Sequence, residues 1–247
     1  MIMFDDEQFE AFVFDLDSTL LDTHRYPLVA SDWLLRKSNI VSDERKTAFL
    51  KNLVMRYFKA IQDVADGGPF RTPFDIVKSA MGDSLRDIDS NADLSLVEEA
   101  TQRFKALHIE LSEPYPGVVE MLSDLHSRGV KMGVLSNSFE GNATRLLEKL
   151  NLQQYFKAVV DCGTVKAYKP MSLIFERVIE DLGVSPSKIL YIGDEYYADM
   201  VGAKRVHLKT VWINSRNQSI QDMIAKYGPD TAPDYVTRSI TEFANLL

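Results

Sequence analysis

Short apolar runs alternate with amphipathic stretches along most of this chain, and each pattern predicts one kind of element. The first apolar run, Ala11–Phe14, consists mainly of aromatic and β-branched residues, which is typical of a strand buried on both faces. Further apolar runs predict strands near residues 130–135, 158–160, 189–192, 210–213 and 235–236. The clearest helical patterns between them cover residues 118–128, 142–150 and 171–182. The alternation predicts an α/β fold, with a Rossmann-like parallel sheet covered by helices on both faces.

A long stretch after the first strand has a purely helical pattern. Residues 23–112 repeat apolar side chains at three- and four-residue steps, as at Leu50, Leu53, Val54, Tyr57, Phe58 and Ile61. Thr72, just before a proline, predicts the start of one helix, and Gly82 predicts its end. We therefore expect two domains, an α/β core formed by residues 1–22 and 113–247 and an inserted all-helical domain formed by residues 23–112.

Polar and charged side chains follow four of the predicted strands. Ligands of open parallel sheets bind beyond the carboxyl ends of the strands, so these positions are candidate site residues. In chain order they are Asp15, Asp17 and Thr19, then Ser136 and Asn137, then Lys169, and finally Asp194 and Asp199. Carboxylates suit Mg²⁺, one aspartate can attack phosphorus, and a second aspartate two residues away can move protons. A hydroxyl and an ammonium can hold phosphoryl oxygens, so the set favours phosphoryl transfer.

These residues resemble the motifs of the haloacid dehalogenase-like hydrolase superfamily, specifically its phosphatases with a helical cap inserted after the first strand. The resemblance covers essentially the whole chain. The matching positions, in motif order, are Asp15-x-Asp17-x-Thr19, Ser136, Lys169 and Gly193-Asp194-x-x-x-x-Asp199. It implies a Mg²⁺-dependent phosphatase that hydrolyses a small phosphorylated metabolite through an aspartyl-phosphate, with the α/β core as the catalytic domain and the cap selecting the substrate.

The resemblance also implies a role for each matching residue. Asp15 would be the nucleophile and a Mg²⁺ ligand, and Asp194 would complete the protein part of the metal site. Asp17 would be the general acid and base, and its backbone carbonyl would also bind the metal. The remaining residues would support the reaction: Thr19 braces the loop, Ser136, Asn137 and Lys169 bind phosphate, and Asp199 orients Lys169 or a metal-bound water.

Two positions depart from the usual pattern of that superfamily. Glu195 stands after Asp194 where relatives usually carry a small residue. Its carboxylate would either lie near the metal ligands or point to solvent. Met171 and Ser172 follow Lys169-Pro170 in place of the commoner Asp-Pro. Neither change removes a group that the implied chemistry requires.

Other functions within the same fold stay open. A sugar-phosphate mutase uses the same pair of aspartates but passes the phosphoryl group to a sugar phosphate instead of water. A haloacid dehalogenase also uses an aspartate nucleophile, but it needs no metal and normally lacks an acid–base aspartate at the position of Asp17. A non-catalytic binding relative would lack the nucleophile or the metal ligand, and Asp15 and Asp194 are both present.

Composition narrows the class of partner. The chain has 28 Lys and Arg against 36 Asp and Glu, a formal charge of −8, which argues against a nucleic-acid partner. Cys162 is the only cysteine, so no disulfide forms within the chain. No apolar run reaches the length of a membrane helix, and the acidic N-terminal segment has no signal-peptide pattern. We expect a cytoplasmic protein without a membrane partner, and the oligomeric state is not predicted.

Overall fold

The computed structural model describes residue 6 and residues 8–247, and the chain forms two compact units. The smaller unit is Thr23–Ser112, and the larger unit joins the flanking segments Met1–Asp22 and Glu113–Leu247. Buried apolar side chains form a core within each unit. Among the described residues, no helix combines the length and the apolar character that crossing a membrane requires.

The smaller unit is helical throughout, with short connections. Its α-helices are α1 (Arg25–Lys37), α2 (Asp43–Ala65), α3 (Pro73–Ile88) and α4 (Val97–Leu111), and α1 packs on α4 while α2 packs on α3. Thr72 caps α3, because its hydroxyl accepts a hydrogen bond from the Asp75 amide at 3.1 Å. Gly82 does not end this helix, contrary to the prediction. A single glycine costs a helix only about 1 kcal/mol, and the buried stripe continues beyond it to Leu85.

A six-stranded parallel sheet is the centre of the larger unit. The strands are β1 (Ala11–Phe14), β2 (Leu21–Asp22), β3 (Glu113–Pro114), β4 (Lys131–Ser136), β5 (Ala158–Asp161), β6 (Ile189–Gly193), β7 (Lys209–Ile213) and β8 (Tyr235–Thr237). The order across the sheet is β5–β4–β1–β6–β7–β8, and β2 pairs with β3 as a separate antiparallel ribbon. The predicted Rossmann-like parallel sheet is therefore confirmed, whereas the ribbon, with two residues in each strand, is too short to leave a periodic pattern.

The position of β1 in the sheet explains where the site lies. Phe14 of β1 is in register with Val134 of β4 on one side and with Ile192 of β6 on the other. The chain adds β4 and β5 on the first side and then returns across β1 to build β6, β7 and β8. A ligand crevice forms at such a reversal, beyond the carboxyl ends of the strands. The segments after β1, β4 and β6 are the ones that carry most of the predicted site residues.

Helices connect these strands and pack against them. They are α5 (Val118–Ser127), α6 (Asn142–Lys149), α7 (Cys162–Val165), α8 (Ser172–Leu182), α9 (Gly202–Arg205), α10 (Ile220–Tyr227) and α11 (Ile240–Ala244). A π-helical turn, Tyr196–Val201, leads directly into α9. α10 was not predicted from the sequence, although Ile220, Met223, Ile224 and Tyr227 have helical spacing.

Candidate active site

A buried ammonium joins two carboxylates at the centre of the site. Lys169 Nζ lies 2.5 Å from Asp15 Oδ1 and 2.7 Å from Asp199 Oδ1. Lys169 is 3% exposed, Asp15 is 6% exposed and Asp199 is fully buried. Asp15 directly follows β1, Lys169 precedes α8, and Asp199 lies on the π-helical turn. The fold thus brings three distant segments together through charge-assisted hydrogen bonds.

A tight turn carries Asp17 and Thr19 away from the end of β1. The backbone amides of Leu20 and Leu21 both donate to the Leu16 carbonyl, each at 3.0 Å. Thr19 is fully buried, and its hydroxyl has no hydrogen-bond partner among the described residues. Backbone hydrogen bonds therefore hold this turn around the buried Thr19 side chain, and the bracing role expected of Thr19 stays a prediction.

Ser136 and Asn137, at the end of β4, contact two other parts of the site. Ser136 Oγ donates to Asp17 Oδ2 across 3.4 Å and accepts a hydrogen bond from the Ser138 amide at 3.0 Å. The Asn137 amide accepts from Lys169 N at 2.9 Å and donates to Lys169 O at 3.2 Å. Because both polar atoms of the Asn137 side chain bind the Lys169 backbone, this side chain positions Lys169, and the phosphate contact expected of it stays a prediction.

Asp194 follows β6 and is held by two residues that the sequence analysis did not single out. Arg216 Nη2 donates to Asp194 Oδ2 at 3.0 Å, and Trp212 Nε1 donates to the Asp194 carbonyl at 3.0 Å. The same guanidinium pairs with Glu195 through Nη1. Glu195 therefore shares the Arg216 guanidinium with Asp194, which agrees with the first of its two expected positions, near the candidate cation ligands.

Asp199 uses both of its carboxylate oxygens within the protein. Oδ1 accepts from Lys169 and from the Tyr191 hydroxyl, the latter at 2.8 Å, and Oδ2 accepts from the Glu195 amide at 2.9 Å. A Cβ on Gly193 would lie 2.4 Å from the Asp199 carboxyl carbon, so this position requires glycine. These contacts match the first of the two expected roles of Asp199, the orientation of Lys169.

Burial and mutual repulsion disfavour the charged forms of the carboxylates. Burial raises the pKa of Asp15 to about 7, against the opposing charge of Lys169. Burial and the nearby charges of Asp15 and Asp199 raise the pKa of Asp194 well above its usual range. Burial alone would lower the pKa of Lys169, but Asp15 and Asp199 raise it well above its ordinary value. The site has more carboxylates than cationic groups, and a divalent cation would offset that excess.

The donor set fits a hard divalent cation. Carboxylate oxygens of Asp15, Asp194 and Asp199 lie within 4.8 Å of one another. Since both Asp199 oxygens accept hydrogen bonds, Asp15 and Asp194 are the side chains left to bind a cation. Mg²⁺ prefers oxygen ligands and is usually held by one or two protein carboxylates. The Asp17 carbonyl, which the resemblance adds to these ligands, lies two residues beyond Asp15 on the same turn.

Three site residues were not predicted from the sequence, although two of them left a signal. Tyr191 interrupts an otherwise aliphatic strand pattern, and a buried phenol normally has a hydrogen-bond partner. Arg216 comes three residues after β7 ends, where the strand-end argument applies as it does after β1, β4 and β6. Trp212 lies within β7 and is indistinguishable by sequence from an ordinary core residue.

Comparison with known proteins places the chain among hydrolases. Residues 9–207 match the family model described as haloacid dehalogenase-like hydrolase. A glyceraldehyde 3-phosphate phosphatase from Methanothermobacter thermautotrophicus is 24% identical over 224 residues, 90% of this chain and 93% of that protein. An (S)-2-haloacid dehalogenase from Pseudomonas fluorescens is 22% identical over 240 residues, 95% of each chain.

The solved structures show the same fold. The HAD-hydrolase YfnB from Bacillus subtilis, whose crystal structure was determined with bound magnesium, has a TM-score of 0.77 and 22% identity. The alignment covers 97% of this chain and 98% of that protein. Because the family model matches most of its length, the chain belongs to the haloacid dehalogenase-like hydrolase family.

Proposed function

We propose that this protein is a Mg²⁺-dependent phosphatase that hydrolyses a small phosphorylated metabolite through an aspartyl-phosphate on Asp15. The observation that carries this proposal is the buried contact between Lys169 and Asp15, with the Asp194 carboxylate beside it. This arrangement supplies a nucleophile, a phosphate-binding ammonium and a pair of cation ligands in one place. The similarity to a protein named glyceraldehyde 3-phosphate phosphatase supports a substrate of that class.

In the first step, a carboxylate oxygen of Asp15 attacks the phosphorus of the ester. The bond between phosphorus and the leaving oxygen breaks, and protonated Asp17 gives its proton to that oxygen, so that an alcohol departs. Ser136 donates to one non-bridging oxygen as charge builds there, and Lys169 donates to another with the N–H that contacts Asp15 before the substrate binds. Asp15 and Asp194 would hold Mg²⁺, which would add to the neutralisation of that charge.

In the second step, a water molecule attacks the phosphorus of the aspartyl-phosphate. Asp17, now a carboxylate, takes a proton from the water, and the bond between phosphorus and the Asp15 oxygen breaks. Inorganic phosphate leaves, and Asp15 and Asp17 return to their starting forms. The net reaction converts a phosphate ester and water into an alcohol and phosphate.

The helical unit, residues 23–112, selects the substrate in this proposal. It is a separate compact unit, and none of the candidate site residues belongs to it. Substitutions at its exposed side chains leave the candidate site residues unchanged. If the unit selects the substrate, such substitutions should change the ratio of kcat/KM between two phosphorylated metabolites. A ratio that stays constant across a broad set of such variants would contradict this role.

Dehalogenation is the second candidate, because a protein named (S)-2-haloacid dehalogenase aligns with nearly the whole chain. Such an enzyme needs no metal, and it normally lacks an acid–base aspartate where this chain carries Asp17. The carboxylates of Asp15 and Asp194 also lie close enough together to share a cation. These two features favour the phosphatase.

Hydrolysis of p-nitrophenyl phosphate by the purified protein, with and without Mg²⁺, tests the proposal. We expect turnover that requires Mg²⁺ and is lost in Asp15→Asn. Mg²⁺ binding without hydrolysis of this ester or of a panel of phosphorylated metabolites would contradict a phosphatase and favour a mutase. Halide release from 2-chloropropionate without added metal would instead establish the dehalogenase.

A further inference from the structure

We propose that Tyr191 is a positioning residue for Lys169. Tyr191 and Asp199 together fix two of the three N–H donors of the Lys169 ammonium, and this directs the third donor to Asp15. The effect on turnover rests on the proposed function, whereas the effect on the ammonium itself does not. The carrying observation is a closed set of hydrogen bonds among these side chains.

The number of acceptors around Lys169 equals the number of its donors. A lysine ammonium has three N–H donors and no acceptor. Lys169 Nζ lies 2.5 Å from Asp15 Oδ1, 2.7 Å from Asp199 Oδ1 and 3.2 Å from Tyr191 Oη. Each donor therefore has one acceptor, and two of the three acceptors lie on the single segment formed by β6 and the π-helical turn.

The Tyr191 hydroxyl serves both of its neighbours at once. Its proton is donated to Asp199 Oδ1 at 2.8 Å, which leaves the oxygen lone pairs to accept from Lys169. Tyr191 is fully buried, and its ring lies 5.2 Å from the ring of Phe175. The Phe175 ring that packs against Tyr191 is apolar, and the phenol oxygen is the polar group of Tyr191 that contacts the ammonium.

Removal of that one oxygen should loosen the ammonium without emptying the site. In Tyr191→Phe the ring remains, but one N–H donor of Lys169 loses its acceptor and Asp199 Oδ1 loses one donor. The ammonium can then turn about its terminal carbon–nitrogen bond and move relative to Asp15. Because phosphoryl transfer depends mainly on positioning, such movement should lower the rate of the chemical step.

Tyr196 provides a matched control in the same unit. It is also a buried tyrosine, and its hydroxyl lies 3.1 Å from the Thr231 carbonyl oxygen and 3.2 Å from Thr231 Oγ1. Tyr196→Phe removes the same atom from a comparable setting but leaves the Lys169 contacts in place. A loss of stability common to both variants is then separable from an effect specific to Tyr191.

The deciding measurement is the NMR signal of the Lys169 ammonium in protein carrying isotope-labelled lysine, with Lys169→Arg used to assign it. We expect slow proton exchange in the wild type and exchange at least about tenfold faster in Tyr191→Phe, with Tyr196→Phe unchanged. An unchanged Lys169 signal in Tyr191→Phe overturns the inference. If that variant does not fold, a wild-type Lys169 signal exchanging as fast as those of exposed lysines overturns it equally.

Turnover gives the second arm of the experiment. With p-nitrophenyl phosphate and saturating Mg²⁺, kcat of Tyr191→Phe should fall at least about tenfold, while the affinity of this variant for Mg²⁺ changes less than about twofold. The kcat of Tyr196→Phe should also change less than about twofold. Equal kcat in both variants, measured beside an active wild type, contradicts the inference. An inactive wild type contradicts the proposed function instead, and the ammonium signal still decides the role of Tyr191.

Discussion

The Lys169 ammonium lies 2.5 Å from a carboxylate oxygen of Asp15, and both side chains are almost wholly buried. A buried pair of this kind loses the hydration of both charges, and only close contact with further hydrogen bonds compensates that loss. Asn137 fixes the Lys169 backbone, and Asp199 with Tyr191 fixes its ammonium. The structure thus places a rigidly held ammonium, that of Lys169, against the proposed nucleophile Asp15.

Lys169→Met should destabilise the fold as well as abolish turnover. The substitution keeps most of the buried stem but leaves the Asp15 and Asp199 carboxylates without their shared cation. We expect the free energy of unfolding in urea to fall by about 3 kcal/mol near neutral pH, the usual cost of removing one member of a buried pair. Lys51→Met, at an exposed position of α2, is the control and should be nearly neutral. Equal stability of the two variants would contradict the burial argument.

Asp17→Asn should reduce turnover by an amount that depends on the leaving group. If Asp17 protonates the leaving oxygen, an alkyl phosphate needs that proton more than p-nitrophenyl phosphate does, because an alkoxide is a poor leaving group. We expect kcat to fall by about 10²–10⁴ with an alkyl phosphate and by much less with the aryl ester. A loss below tenfold with the alkyl substrate would exclude the acid–base role.

Asp194 and Glu195 are adjacent carboxylates, and the structure predicts that only the loss of the Asp194 carboxylate weakens metal binding strongly. Asp194 is buried and lies beside Asp15, whereas Glu195 is paired with Arg216. In titration calorimetry with Mg²⁺, Asp194→Asn should weaken binding at least about tenfold, and Glu195→Gln should change it less than about threefold. Equal weakening in both variants would place Glu195 among the cation ligands.

Asp234, directly before β8, binds residues of α9 and β7 outside the site. Lys209 Nζ and the Thr210 amide each donate to its carboxylate at 2.9 Å, and Lys204 also pairs with it. Burial alone would raise the pKa of Asp234, but the hydrogen bonds and charges of Lys204 and Lys209 lower it below its ordinary value.

A carboxyl group whose pKa is lower in the folded state adds stability above its unfolded pKa and loses it as the pH falls through the folded value. Asp234→Asn should therefore lower the free energy of unfolding by about 1–3 kcal/mol near pH 7. The difference from the wild type should shrink below about pH 4. Glu176→Gln, at an exposed position in the middle of α8, is the control and should show neither effect. A deficit for Asp234→Asn that is the same at both pH values would contradict the account.

Much of the larger unit was predictable, because buried parallel strands leave apolar runs that are separated by helical spacing. The same logic located Asp15, Ser136 and Asp194, each of which ends or follows a central strand. It also pointed to Lys169, although a loop separates this residue from its strand, and the motif resemblance then assigned the roles. In the smaller unit, Thr72 predicted a helix start because capping is local, whereas Gly82 misled because packing along the helix outweighs the cost of one glycine.

The remaining features depend on contacts between distant segments. The pairing of Arg216 with Glu195 spans 21 residues, and the bonds from Asn137 to the Lys169 backbone span 32. Spacing along the chain does not indicate which of many charged or polar side chains meet in space. Tyr191 is the intermediate case, since its burial was predictable and its partners were not.

The most direct test of the account is the identity of the group that receives the phosphoryl group from the substrate. A rapid-quench experiment with a phosphorus-radiolabelled ester and Mg²⁺, followed by peptide mapping, reads this out. The account predicts transient label on the peptide that contains Asp15, and neither label nor turnover in a folded Asp15→Asn variant. Label on another residue, or substantial turnover by Asp15→Asn, would contradict the central claim.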